Sequence, residues 1–465
     1  MESEVYKASL LPLPDNSASS TSSTSRRGDW RSSTLFHRVV VAFCIIAAYL
    51  GIYTFNSMTS ADADVSPYTE SIFLPYIYKF SAKHVPQIQT IINGIEIEMP
   101  IDTGSTMTLI GASILPNINK TIGTPAHHFF TSSKILYVGR LVDLPIAFHG
   151  ESGSHAVAEV PVLLVDKSWT CPWYKPSTPA GRFECPKGPN GEDAVVRDTS
   201  KITYMGVGFG RNGPKDGMPY ASPGVNPFLN VVSINGRAVS PRSMRTGYEI
   251  SSRGVHLGLT EAVIKGFSFT RLEPGLTHDE DSRDWAMVKM CFSIDGEGSH
   301  CGPGLVDTGI AQMYIRAEEG CSIPKVMIRN PNPNGTAKMV KRVKPGTKFA
   351  IGFPALNESV MAYTLVVGEG SQIEPSYVFP EASLRPPFVN TGRNLLWGYS
   401  IAFDAVDGRF GFRPIDSSSN PPPSRSTVLR FLCTHVSWSG IMPGRLGEWK
   451  SVWLAKEIFM DWVDL

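Results

Sequence analysis

Asp102 and Asp307 are the two side chains around which chemistry can be built. Each heads the same triplet, Asp102-Thr103-Gly104 and Asp307-Thr308-Gly309, some two hundred residues apart. An apolar run and a two-residue turn lead into each copy: Ile92-Asn93-Gly94-Ile95 before the first, Ile294-Asp295-Gly296 before the second. Asn-Gly and Asp-Gly between apolar residues mark tight hairpins. One such triplet is a weak motif; two, each delivered by a hairpin, point to a pair. Carboxyls brought together cannot both ionise cheaply, so the pair shares a proton. One member can then take a proton from water while the other donates to a carbonyl oxygen. That chemistry is acid–base hydrolysis without a metal or organic cofactor.

The elements that must position this pair are strands. Charged residues make up only 18% of the 465-residue chain, while Gly (42) and Pro (36) are plentiful, which favours a turn-rich β protein. From Ser71 onward short apolar segments alternate with Gly, Pro, Asn and Ser, and no helical period dominates. Tyr204-Met205-Gly206-Val207-Gly208 follows the first triplet and Leu395-Leu396-Trp397-Gly398 follows the second, a weak internal duplication. A final hairpin turns across Asp407-Gly408. The net charge of +1 gives no reason to expect a nucleic-acid partner.

The flanks read differently. Residues 1–38 are Ser/Thr-rich and then basic, the composition of a disordered segment. Residues 39–55 carry no charge and approach the length of a bilayer span. Basic residues before them and acidic ones after predict a signal-anchor with a cytoplasmic N-terminus and a lumenal or extracellular body; a cleaved secretory signal is the alternative. A stem is expected over 56–75, one half of the body over 76–262, the other over 263–415, and a linker and tail of unassigned role over 416–465. The glycosylation triplets at Asn119, Asn334 and Asn357 all lie beyond the anchor. So do six of the seven cysteines. Cys171 with Cys185 would close a short loop, and Cys291 with Cys301 would staple the hairpin before Asp307. Cys301 with Cys321 is the competing pair. No Cys-x-x-Cys occurs and the histidines are scattered, so no metal site is expected. His127-His128 reads as a loop pair, and the lysine-rich run 338–348 as a solvated loop, with an anionic-surface site as the alternative.

Residues 76–414, roughly three quarters of the chain, resemble the pepsin-like aspartic proteases. The resemblance rests on both triplets, Ser105, the 205–209 segment, the 396–412 hairpin and Trp285 with the Ser293-Ile294-Asp295-Gly296 turn. It implies an all-β, bilobal acid-protease fold with a cleft between two pseudo-equivalent lobes. It implies a monomeric endopeptidase acting on an extended peptide, with water activated between Asp102 and Asp307. Thr103 and Thr308 would bond across the loops around Gly104 and Gly309, and Ser105 would bond Asp102. The chain departs from the family in three places. Ile310 stands where the family has a hydroxyl, a carboxylate bond worth about 1.5–3 kcal/mol. The flap region lacks a Tyr-Gly pair, leaving the flap role to Tyr137. No tryptophan follows Asp102 to hold a flap tyrosine. A cleft protein that binds peptides or partner proteins with little or no turnover is the alternative.

Overall fold

The computed structural model describes residues 65–175, 183–213, 218–331, 337–382 and 385–415. The expected anchor 39–55, the tail 416–465, Asn334, Cys44 and Cys433 lie outside them. Among the described residues no helix is long and apolar enough to cross a membrane.

The protein is nearly all β. The two turns read from sequence form as two-residue hairpins. Asn93 and Gly94 have φ of 51° and 76°, and Asp295 and Gly296 have 52° and 87°. Asn, Asp and Gly tolerate that left-handed backbone, and the resulting turn matches strand twist. The hairpins are Gln87–Ile92 with Ile95–Asp102, and Lys289–Ile294 with Glu297–Leu305. Each second strand runs directly into an Asp-Thr-Gly loop.

Among the described residues the strands form sheets of ten, seven, six and two. The first hairpin belongs to the ten-stranded sheet and the second to the seven-stranded one. In each sheet a third strand is threaded beside the loop, parallel to the strand entering it and antiparallel to the strand leaving it. For the first loop this is Thr203–Val207, lying between Ile95–Asp102 and Thr106–Gly111. For the second it is Phe388–Asn390, lying between Glu297–Leu305 and Met313–Arg316. The sequence had matched Gly206 with the 396–398 segment. That segment instead forms a 3-10 turn, Arg393–Trp397, after the threaded strand.

The six-stranded sheet draws on distant parts of the chain. Ile72–Pro75 pairs with Gly254–Leu257, Gly247–Ile250 with Tyr399–Asp404, and Ser268–Arg271 with Arg409–Pro414. The body therefore begins before residue 76, and a stem reaching residue 75 is corrected. Val65 is buried, and the Thr69 and Glu70 N–H groups both bond the Ser243 carbonyl. The apolar pattern of Ile72 and Leu74 is that of a strand with one buried face. A division at 262/263 also crosses this sheet. One apolar core runs from Ile72 to Phe412.

His127 and His128 lie on a strand, Thr124–Phe130, paired with Ile135–His149. Both faces of that strand are buried at 126–129, so the alternation that betrays a strand is absent. The run read as a solvated loop contains the strand Met339–Val343 and ends on Lys348, the first residue of the strand Lys348–Phe353. Disulfides join Cys171 to Cys185 and Cys291 to Cys301, with Cα separations of 6.0 and 4.1 Å. Cys291 and Cys301 face each other in the hairpin register. Cys321 is free, its sulfur 3.4 Å from His300 Nε2.

Candidate active site

The structure brings the two triplets together, although Thr103 and Thr308 are 205 residues apart. The Thr103 N–H donates to Thr308 Oγ1 at 3.1 Å, and the Thr308 N–H donates to Thr103 Oγ1 at 3.0 Å. Each hydroxyl donates onward to the segment entering the opposite loop: Thr103 to the Val306 carbonyl, Thr308 to the Ile101 carbonyl at 2.8 Å. Two loops with the same local sequence thus satisfy each other's buried polar groups.

The glycines set how closely the acids approach. A Cβ on Gly104 would overlap the Asp307 carboxyl, and a Cβ on Gly309 would overlap that of Asp102. Each glycine is the space that the other loop's carboxyl occupies. Asp102 and Asp307 are only 4% and 7% exposed, so the pair is largely out of water. Burial, the neighbouring Asp307 carboxylate and the bond to it push the Asp102 carboxyl well above the ordinary carboxylate range. Bonds from the Gly104 N–H (2.7 Å) and Ser105 Oγ (2.9 Å) pull the other way.

The second acid is held by a different set. The Gly309 N–H donates to Asp307 Oδ1 at 2.9 Å. Ile310 offers nothing to the other oxygen. Instead Asn390 Nδ2, on the threaded strand, donates to Oδ2 at 2.7 Å. The Asn390 Oδ1 is itself fixed by the Gly392 N–H at 3.0 Å. On the first side the threaded strand carries Gly206, whose added Cβ would crowd Ser105 Oγ. The second oxygen of each acid is thus met differently: by a hydroxyl from its own loop at Asp102, and by an amide from the threaded strand at Asp307. Sequence reading missed Asn390. Its signal was the run Phe388-Val389-Asn390-Thr391-Gly392, an apolar pair followed by a turn glycine.

Two arginines, also missed, brace the loops from behind. Arg211 Nε donates to the Gly104 carbonyl at 2.8 Å. Arg393 donates to the Thr308 and Gly309 carbonyls, both at 2.9 Å, and to Ala82 at 2.8 Å. Burial lowers the Arg393 guanidinium's pKa, and Asp307 and Asp102 oppose it. Met107, just past the first loop, holds a φ of 124°, a strained backbone for a bulky residue.

Tyr137 is buried on the 124–149 hairpin, three residues past its turn, where it packs edge-on against Phe130. Burial raises its hydroxyl's pKa. Opposite it in register lies His128, fully buried, with no hydrogen-bond partner for either ring nitrogen among the described residues. Burial, then His127 and Arg211, push His128 down to about 3. Asn119 and Asn357 are exposed, as glycan acceptors must be. Among the described residues no cluster of His, Cys, Asp and Glu could hold a metal ion.

The chain matches no protein-family model, and no curated protein matches it.

Proposed function

We propose that this chain is an aspartic-type endopeptidase related to the pepsin-like proteases, with two β lobes that each supply one acid to a peptide-binding cleft. The observation that carries this reading is the reciprocity of the loops. Each threonine bonds across to the other loop, and each glycine makes room for the other carboxyl. A pair of surface turns has no use for that arrangement.

In the proposed reaction a water between Asp102 and Asp307 adds to the scissile carbonyl carbon. One carboxylate takes the water's proton while the other carboxyl gives its proton to the carbonyl oxygen. Collapse of the tetrahedral diol breaks the C–N bond, and the shared proton goes to the leaving amine. The titration belongs to the pair. The bond from Asn390 supports turnover, because it supplies what Ile310 withholds. The two disulfides fit an oxidising lumenal or extracellular location.

The test is cleavage of an unfolded protein substrate between about pH 3 and 6. Wild type is compared with Asp102→Asn and Asp307→Asn. Turnover by wild type alone, blocked by a pepstatin-type inhibitor, is the expected result. Equal turnover in all three removes the dyad from the mechanism. Saturable peptide binding with no turnover in any of them would favour the binding reading.

A further inference from the structure

The two-stranded ribbon of Lys325–Arg329 and Met339–Val343 pairs with no other strand among the described residues. Its register sets Met327 opposite Lys341 and Arg329 opposite Met339. Opposite residues of an antiparallel pair share a face. One face therefore carries Lys325, Met327, Arg329, Met339 and Lys341, all exposed. Met327 is 53% and Met339 48% exposed, unusual for apolar side chains this close together. The base of the ribbon is fixed: Arg342 lies 3.8 Å from the Tyr377 ring centroid, and the Lys344 N–H bonds the Pro324 carbonyl at 2.9 Å. The charge is of one sign. No Asp or Glu occurs between residues 320 and 357. Among the described residues no carboxylate pairs with Lys325, Arg329, Lys338 or Lys341.

We propose that this ribbon face docks on an anionic lipid surface. Clustered lysines and arginines gain from anionic headgroups, and the methionines between them gain from the acyl boundary below. A polyanionic sugar or nucleic acid would use the cations but leave Met327 and Met339 in water. This inference is independent of the aspartate pair.

The test is hydrogen exchange of the full-length protein on phosphatidylcholine vesicles, with and without phosphatidylserine. Amides of 325–329 and 339–343 slow only on the phosphatidylserine vesicles, and high salt removes the effect. At about fivefold per cation, Lys325→Gln/Arg329→Gln/Lys341→Gln lowers the phosphatidylserine-dependent binding roughly a hundredfold. Met327→Ser/Met339→Ser abolishes the protection while leaving thermal unfolding unchanged, which separates docking from misfolding. Protein that binds the anionic vesicles with unaltered exchange in the ribbon overturns the proposal. So does protection by heparin where the vesicles give none.

Discussion

At the residue scale the informative position is Asn390. Its amide holds Asp307 Oδ2 from a strand 83 residues away in sequence. A hydrogen bond to a charged group is worth about 1.5–3 kcal/mol, so Asn390→Ala should lower kcat/KM by roughly ten- to a hundredfold. Adding Ile310→Thr to that variant should recover part of the loss, because a hydroxyl returns on the loop side. A double-mutant cycle in kcat/KM reads the coupling, and purely additive losses would mean that the two positions do not share a role. His128 makes a second prediction. Its folded pKa of about 3 lies below the ordinary 6.5, so the unfolded chain binds more protons between those values. Stability contributed by the neutral ring is whole above about pH 6.5 and drains away as the pH falls toward about 3, at up to about 1.4 kcal/mol per pH unit. Asp102 tilts the other way, since a raised carboxyl favours the folded state at low pH and loses that benefit as pH climbs. His128→Leu should therefore unfold less readily than wild type at acid pH and match it near neutrality, as followed by urea melts across that range.

At the element scale each loop depends on its partner. Thr308→Val removes a hydroxyl that accepts from Thr103 and donates to Ile101, and leaves both groups buried and unpaired. The expected cost is about 2–4 kcal/mol in a denaturant melt, with loss of activity. The Cys291–Cys301 bridge closes a short hairpin, so Cys291→Ser/Cys301→Ser should cost about 2–4 kcal/mol. A matching fall in Tm checks it. These elements also mark what a sequence can carry. The Asn93-Gly94 and Asp295-Gly296 turns were legible because a two-residue turn is decided by its own residues. The run around Asn390 marks a strand and its turn, but nothing beside it in the chain says that Asp307 will lie next to its amide. The Leu396-Trp397-Gly398 match failed for the same reason: a short string resembles another without sharing its register. His127 and His128 were misread because a strand buried on both sides shows no alternation.

At the scale of the molecule the six-stranded sheet ties early and late strands into one body. Asp404, fully buried, accepts from Arg245 at 3.0 Å and from Arg409 at 2.7 Å, each arginine from a different strand or turn of that sheet. Removing one partner of such a network strands buried charge, and Asp404→Ala should cost about 3–5 kcal/mol of unfolding free energy. A cost under about 1 kcal/mol would show that the network is surface-like. Which strands would share a sheet was beyond the sequence, since pairing is settled by contacts across hundreds of residues. That the protein would be built of strands was not, because composition and turn chemistry act locally.

Asp307 gains its amide partner only when the chain on either side of a long excursion has come back together. During synthesis the first acid can be dressed by its own neighbours, but the second stands bare until the return strand slots in. Under the proposed reading, the acid pair stays incomplete until the chain from Asp307 to Asn390 has folded back on itself.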